Sequence, residues 1–478
     1  MKHRFLLAAV VAVSPIVLAA CEVSPEWAEC QSAAGAQVQQ KLVACTKIIN
    51  NPNETAEGRA SALNNRGTFL MASHEYDRAI KDFTAAIALN PHSVSAFNNR
   101  GMAWNIKGEF DRAIADFDEA IRLNPKASAP FNNRGYAYGR KKQIDRAMAD
   151  LNHAIELDPK NQEAFFNRGL GYQEKDDRDR AIADFNESER LGYRNARLFY
   201  ARAHTLLDKA DRTAAKRDLD RAIIIDPKLA VAYNLRGVVF VKSRDIASAM
   251  ADFDRAISLD PTLVEALANR GITHARQVHF DLAIKDLDAA IALDAGDAKL
   301  WYHRAEVYRA AGDLDHAVAD LTEAIRLQPR EAEPLTRRGS IYDEQGDHAR
   351  ALADFDEAVR VKPKSPIALN SRCWSRATHN ERLDEALADC DSALALAPNT
   401  PDILDSRAFV HFRLREYDKA IADCDAVLRA DPQYANSLFV RGLAKRAKGD
   451  KSGAKADIDA AVALDAKLVQ RFAGYRVK

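Results

Sequence analysis

Asparagine recurs at a step of 34 residues along the chain, in two adjacent rows. A side-chain amide carries both a hydrogen-bond donor and an acceptor, so it can pair with both polar groups of an extended peptide backbone. The rows therefore predict a surface that binds polypeptide through its main chain. The alternative is that asparagine is only a polar helix-surface residue copied by repeat duplication. The first row holds Asn65, Asn99, Asn133, Asn167 and Asn269, and the second holds Asn64, Asn98 and Asn132.

Motifs that carry catalysis are absent from the sequence. It contains no Gly-x-x-x-x-Gly-Lys-Ser/Thr phosphate loop, no Gly-x-Ser-x-Gly nucleophile elbow and no His-Glu-x-x-His metal motif. The twelve histidines are scattered, and we expect each, including His74, His204 and His379, to be a surface or packing residue rather than a ligand. The sequence therefore predicts no enzymatic activity, no cofactor and no metal ion.

The asparagines are positioned by a repeated unit. Each lies two or three residues before a small residue that itself follows an arginine, as in Arg66-Gly67, and this pair occurs twelve times, up to Arg441-Gly442. An alanine and then a larger apolar residue follow at nearly constant spacing. We expect the small residue and the alanine to let two helices approach closely while the larger residue fills the core between them. One unit shows the pattern in Gly101, Trp104, Ala113, Phe117, Ala120 and Pro125.

With these residues, the chain closely resembles the tetratricopeptide repeat family over about residues 60–466. The resemblance implies an all-α, right-handed superhelical solenoid of about twelve helix-turn-helix repeats. It also implies that the first helices line a concave groove in which a short peptide lies, with the asparagine rows on its surface. His303 and Arg337 continue the first row after Asn269, and they are candidates for contact with a carboxylate of the partner.

Charged residues also repeat. The arginine before the small residue, and an aspartate before the larger apolar residue, are present in all twelve units, as in Arg66 and Asp82. They could form a charged binding ladder, but we favour pairing between facing helices that sets the stacking register. Asp77 and its equivalents stand two residues before the alanine, where we expect the N-cap of the second helix.

The beginning of the chain resembles a bacterial signal peptide over residues 1–20. Lys2, His3 and Arg4 precede an apolar run, and Leu18-Ala19-Ala20-Cys21 resembles a lipobox, which implies lipidation of Cys21. Glu22 replaces the aspartate that signals inner-membrane retention, so the resemblance implies the periplasmic face of the outer membrane. The alternative is cleavage after Ala19, which gives a soluble periplasmic protein.

The remaining segments are predicted to cap the repeats. Residues 21–58 form an irregular leading unit, with a helix over 38–50 and a disulfide between Cys30 and Cys45. Residues 467–478 form a short C-terminal cap, in which Phe472 and Tyr475 cover the exposed end. Within the repeats, Cys373 and Cys390 take facing positions and are predicted to form a disulfide, and Cys424 is a buried free thiol.

Composition limits the function. The chain of 478 residues has 69 Lys and Arg and 69 Asp and Glu, so no chain-wide basic field exists to bind nucleic acid. The sequence predicts a non-catalytic protein-protein interaction scaffold of the bacterial cell envelope that binds an extended polypeptide in its concave groove. The alternatives are a structural or assembly lipoprotein that acts through its convex face or its ends, and a cytoplasmic scaffold if the signal is not used.

Overall fold

The computed structural model describes residues 24–32 and 38–475, and every regular element in those ranges is an α-helix. The predicted all-α repeat architecture is confirmed. The predicted signal peptide and the lipidation site Cys21 lie outside the described residues. None of the helices in the described ranges combines the length and the apolar character needed to cross a membrane.

The described residues divide into two compact bodies, one ending at Pro227 and the other beginning at Lys228. The helices of the N-terminal body are α1 Pro25–Gln31, α2 Val38–Asn50, α3 Ala56–Ala72, α4 Tyr76–Leu89, α5 Val94–Ile106, α6 Phe110–Leu123, α7 Ser128–Arg140, α8 Ile144–Leu157, α9 Gln162–Glu174, α10 Arg178–Arg190, α11 Ala196–Asp208 and α12 Arg212–Ile225. Five repeats, each an odd-numbered first helix and an even-numbered second helix, run from α3 to α12.

Seven further repeats and one terminal helix form the C-terminal body. Its helices are α13 Ala230–Lys242, α14 Ile246–Leu259, α15 Val264–Arg276, α16 Phe280–Leu293, α17 Ala298–Ala311, α18 Leu314–Leu327, α19 Ala332–Glu344, α20 His348–Val361, α21 Pro366–His379, α22 Leu383–Leu396, α23 Pro401–Arg413, α24 Tyr417–Ala430, α25 Ala435–Ala447, α26 Lys451–Leu464 and α27 Leu468–Gly474.

The core of each repeat explains its small residue. The glycine of the first helix packs against the larger apolar side chain of the second helix, and a Cβ added at Gly101 would lie 2.6 Å from Cε1 of Phe117. All five repeats with phenylalanine at the core position have glycine opposite it, whereas Ala203 and Ala305 face the smaller Leu219 and Leu321. The expected close packing is present, and the side chain at the core position, a phenylalanine ring in five repeats, leaves little room for a Cβ on the facing glycine.

The turn between the two helices uses the same backbone conformation in all twelve repeats. The residue seven positions after the small residue has φ between 56° and 92°, the left-handed region that favours glycine. Glycine occupies this position in four repeats, and the other eight hold ordinary residues, including the β-branched Val278 with φ 64°. The tenth repeat inserts one residue here and places both Asn380 and Arg382 in the left-handed region.

The predicted N-caps are wrong. The second helices begin one residue before Asp77 and its equivalents, so these carboxylates lie inside the first turn rather than at the cap. The capping residue stands four positions before the alanine, and there Asp177, Asp211 and Asp245 each accept a hydrogen bond from a main-chain N–H of the first turn. Five repeats have an acidic residue at both positions, and only the earlier position lies at the helix boundary, where a cap stands.

Short helices lie at both ends of the repeats. In the N-terminal body, α2 matches the predicted helix over 38–50, and a disulfide joins Cys30 of α1 to Cys45 of α2. In the C-terminal body, Phe472 of α27 is fully buried against Phe409 and Phe439. A second disulfide, between residues 373 and 390, joins α21 to α22, and the buried thiol at residue 424 is free.

Candidate functional site

The repeated arginine and aspartate form a scaffold, as predicted. In each repeat the arginine of the first helix donates from Nε and Nη2 to both carboxylate oxygens of the aspartate of the second helix, at 2.6–3.0 Å. The aspartates are buried, so these pairs are shielded from water. The hydrogen bond to Asp184 is the main cause of a raised pKa for Arg168.

The remaining nitrogen of the same arginine connects neighbouring repeats. Arg134 Nη1 donates to Asp118 on the second helix of the preceding repeat at 2.6 Å, and Arg168 Nη1 donates to Asn152 at 2.9 Å. Each such guanidinium is therefore fixed by two helices, one in its own repeat and one in the repeat before. The arrangement supports the role in stacking register and leaves these charges engaged within the fold.

A second contact between repeats involves Asp77 and its equivalents, the carboxylates that were predicted to be N-caps. Lys175 Nζ lies 2.6 Å from Asp145 Oδ1, thirty residues earlier in the preceding repeat. Equivalent contacts join Lys107 to Asp77, Lys141 to Asp111, Lys209 to Asp179 and Lys448 to Asp418. Four of these five bridges therefore connect the successive repeats of the N-terminal body.

The two asparagine rows merge into one ladder in the N-terminal body. Each asparagine of the first row donates from Nδ2 to Oδ1 of the second-row asparagine in the preceding repeat: Asn99 to Asn64 at 3.1 Å, Asn133 to Asn98 at 2.9 Å, and Asn167 to Asn132 at 2.9 Å. Within a helix, Asn132 Nδ2 donates to Asn133 Oδ1 at 3.2 Å. We name this chain of amides, residues 64, 98, 99, 132, 133 and 167, the amide ladder.

The ladder lies where first helices meet. The helices α3, α5, α7 and α9 contact one another in sequence, and we call the surface that they share the first-helix face. Five of the six amides are half-buried and Asn132 is buried. Because each amide has two donors and two acceptor lone pairs, one bond to a neighbour leaves capacity for another partner. Asn65 is half-buried at the start of the row.

One asparagine of the second row, Asn234, was not predicted from the sequence. Asn269 donates from Nδ2 to Oδ1 of Asn234 at 3.0 Å, which repeats the pairing of the N-terminal body. Asn234 was not predicted because Leu235 interrupts the first row in this repeat, whereas Asn234 belongs to the second row. The signal was present in the sequence: an asparagine stands three residues before Gly237, as it does before Gly67.

A cavity of about 330 Å³ opens beside the amide ladder, where the third and fourth repeats meet. Its lining is mostly apolar, with Ile144, Leu151 and Leu170, and Asn167 reaches its edge. Gly139 also lines it, and a Cβ added at this glycine would have no neighbour within 4 Å. The first repeat has Met71 at the position of Gly139, so the absence of a side chain opens this space.

The candidate carboxylate contacts are already engaged in part. Arg337 Nε lies 3.4 Å from Oε1 of Glu306, so its charge is shared within the protein. Its pKa is raised mainly by the hydrogen bond to the Tyr302 hydroxyl. Burial lowers the pKa of His303, which favours the neutral imidazole near neutral pH. Both features weaken the case for a carboxylate site here, which stays a prediction.

Comparison of the sequence with protein families matches the family described as "Tetratricopeptide repeat". One model of this family matches residues 64–128, 200–263, 336–401 and 407–468. Two other models of the family match residues 298–331 and 130–161. The matches cover more than half of the chain, and the chain belongs to the tetratricopeptide repeat family. This repeat fold is typical of protein-protein interaction scaffolds.

The chain is also similar to solved structures. The structure titled "Crystal structure of APC/C hetero-tetramer Cut9-Hcn1" is 16% identical over 92% of this chain and 93% of that chain, with a TM-score of 0.50. Yeast Tom70 is 18% identical over 86% of this chain and 99% of that chain, with a TM-score of 0.41. A tetratricopeptide repeat protein from Parabacteroides merdae is 21% identical over 52% and 99%, with a TM-score of 0.43. A search of curated proteins found no match.

Proposed function

We propose that the protein is a non-catalytic scaffold that binds an extended polypeptide along the first-helix face of its N-terminal body. The amide ladder carries the proposal, because it presents half-buried amides at regular intervals over four consecutive repeats. Amides of this kind suit the N–H and C=O groups of an extended main chain, which are the same in every sequence. The partner is therefore recognised first as an extended chain and only second by its side chains.

The cavity beside the ladder adds side-chain selection. About 330 Å³ of mostly apolar space is suited to one large apolar side chain of the guest, such as leucine or phenylalanine. Asn167 belongs to the ladder and also lines the cavity. A guest held by its backbone at Asn167 therefore has a side chain within reach of the cavity. Ladder and cavity together favour an extended segment with one apolar anchor.

Affinity is expected to be modest. Five or six neutral hydrogen bonds contribute about 0.5–1.5 kcal/mol each, and ordering a flexible guest offsets much of that gain. The result corresponds to Kd values of about a micromolar or weaker. Such a scaffold captures segments reversibly.

Gly139→Leu is the sharpest test of the cavity. The new side chain enters open space and fills the cavity, and leucine in place of a helical glycine is expected to raise stability by up to about 1 kcal/mol. Titration of a library of unstructured peptides, each with a single phenylalanine, should show at least a tenfold loss of affinity. The matched control is Met71→Leu, which keeps side-chain volume at the same repeat position and should bind normally.

The ladder, together with Asn65 at the start of the first row, is tested by changing Asn65, Asn99, Asn133 and Asn167 together to alanine. Calorimetry should detect no peptide binding to this variant, while circular dichroism shows an intact helical fold. A control with alanine at Lys81 and Glu156, which are exposed on second helices, should bind like the wild type. Undiminished affinity in the four-asparagine variant would exclude the ladder as the binding surface.

We also propose that the protein is exported and held at the membrane by a lipid on Cys21. The lipobox-like sequence supports this, and so do the two disulfides, because disulfides persist in oxidising compartments such as the periplasm. Mass spectrometry of the mature N-terminus tests it: a diacylglyceryl-modified Cys21 is expected, and an unmodified Met1 would refute export.

A further inference from the structure

Three side chains that depart from the repeat pattern meet where the ninth and tenth repeats join, in the C-terminal body. Asp343 lies near the end of α19, His348 begins α20 and His379 ends α21. At the corresponding positions the other repeats carry no histidine and no carboxylate. The three exceptions are 36 residues apart at most in sequence, and the fold brings them to one place.

The spacing of their polar atoms suits a metal ion. One ring nitrogen of each histidine and one carboxylate oxygen of Asp343 lie within 4.8 Å of one another, and His348 Nδ1 is 3.5 Å from Asp343 Oδ1. Zinc bonds of about 2.0–2.2 Å in a tetrahedral site separate the ligand atoms by roughly 3.3 Å. The two imidazoles are stacked with centroids 3.5 Å apart, so rotation about their Cβ–Cγ bonds is needed to turn both nitrogens to one ion.

The surrounding groups are compatible with tautomers that suit a metal ion. His348 Nε2 lies 3.3 Å from Glu381 Oε2, and a proton held there leaves the Nδ1 lone pair directed toward Asp343. His379 Nδ1 lies 2.9 Å from the main-chain oxygen of Ser375, and a proton donated there leaves Nε2 free to bind. Histidine ligands of metals commonly donate their second N–H to a carboxylate or a main-chain carbonyl, which is the arrangement found here.

Charge at the cluster is not balanced by other side chains. Within the described residues, neither Asp343 nor Glu381 forms an ion pair with lysine or arginine, and the contacts of both carboxylates with charged groups are to His348. The equivalent position to His379 holds Lys107 in the second repeat, where it bridges to Asp77, but here the facing position is Ala349. The lysine–aspartate bridge between repeats is therefore replaced here by imidazole and carboxylate groups whose lone pairs can bind a metal ion.

We propose that Asp343, His348 and His379 bind one divalent transition-metal ion, with Zn²⁺ as its representative. Imidazole with carboxylate favours ions of this class over Mg²⁺ and Ca²⁺, which prefer oxygen ligands alone. The ion takes ligands from α19, α20 and α21, so it joins the ninth repeat to the tenth. It stabilises the folded chain by mass action, because the three ligands are brought together only by folding.

The test uses the full mature chain, stripped with a chelator and kept oxidised so that the disulfide at residues 373 and 390 adds no thiolate ligand. Calorimetric titration with Zn²⁺ should show one tight equivalent, and Co²⁺ should give the visible absorption of a low-coordinate nitrogen and oxygen site. Asp343→Asn and His379→Gln keep side-chain size, and each should weaken Zn²⁺ binding by about tenfold or more. Zn²⁺ should raise the melting temperature of the wild type but not of these variants.

The control is His316→Gln, because His316 lies in the first turn of α18 and its Nδ1 is 2.7 Å from Asp313, a histidine–carboxylate pair without a third ligand. It should bind Zn²⁺ like the wild type. Equal Zn²⁺ affinity of wild type and Asp343→Asn would overturn the proposal. Equal weakening by His316→Gln would also overturn it, since the ion would then be held by scattered surface histidines.

Discussion

The pairing of glycine with phenylalanine in the repeat core makes a quantitative prediction. In Gly101→Ala the new Cβ would stand 2.6 Å from Cε1 of Phe117, whose ring is fully buried. Overpacking of this kind costs about 1–3 kcal/mol, and alanine returns about 1 kcal/mol in helix propensity. We therefore expect the single variant to be destabilised by about 0–2 kcal/mol.

A double-mutant cycle tests this explanation, and its second single variant replaces the phenylalanine ring. Phe117→Leu alone leaves a partly filled core and should cost about 1 kcal/mol or somewhat more. In the double variant the alanine faces leucine, a combination that the chain already uses at Ala203 with Leu219. The two changes should therefore be less harmful together than their sum, with a favourable coupling energy of about 1–3 kcal/mol.

The assay must report on one repeat, because in repeat proteins stability varies along the array and unfolding of the full chain is not strictly two-state. Native-state hydrogen exchange of α5 and α6 amides gives the local free energy for the wild type and each variant. The control is Gly139→Ala, which has no neighbour within 4 Å and should be stabilised by about 1 kcal/mol. Additivity of the two single changes to within about 0.5 kcal/mol would refute the explanation.

Three further predictions concern stability. Val278→Gly should stabilise by about 1 kcal/mol, because a β-branched residue at φ 64° is strained, whereas Gly108→Ala should destabilise similarly; hydrogen exchange of amides in the affected repeat measures both. Burial raises the pKa of Asp405 to about 7 from 3.8, so the folded state holds the proton more tightly and loses stability as pH rises between these values. Asp405→Asn should therefore raise the melting temperature strongly at pH 8 and little at pH 4, with a free-energy gain of at most about 4 kcal/mol; a gain independent of pH would contradict this. Arg168→Met should destabilise by about 3 kcal/mol in denaturant titration, because it leaves Asp184 buried without its partner.

The fold could be predicted from the sequence because one spacing repeats twelve times. Every repeat gives an independent view of the same helix pair, so the pairing of Arg66 with Asp82 and the disulfide between Cys373 and Cys390 followed from position alone. The N-cap prediction failed because acidic residues occur both two and four positions before the alanine, together in five repeats, and backbone geometry chooses between the two positions. Spacing locates a residue in the repeat, but it does not determine its backbone angles.

The candidate site could be predicted only in part. The asparagine rows were visible, but their mutual pairing depends on how one repeat is rotated against the next, which brings Asn99 to Asn64 rather than to Asn65. The histidine cluster was not predicted because neither His348 nor His379 belongs to a recognisable motif in the sequence. Only the contact between neighbouring repeats brings the two residues together. Positions that break the repeat pattern were the signal that could have found them.

The amide ladder also has a direction. Every cross-repeat bond in it runs the same way, from the Nδ2 of the later asparagine to the Oδ1 of the earlier one. Turning one amide over would place two N–H groups or two oxygens face to face, so the amides of four repeats reverse together or not at all. A guest chain that lies on the ladder meets dipoles of a single sense, and its two orientations, N-terminus first or C-terminus first, differ in energy. For the binding proposed above, this means that the ladder would select the polarity of the polypeptide independently of its side chains.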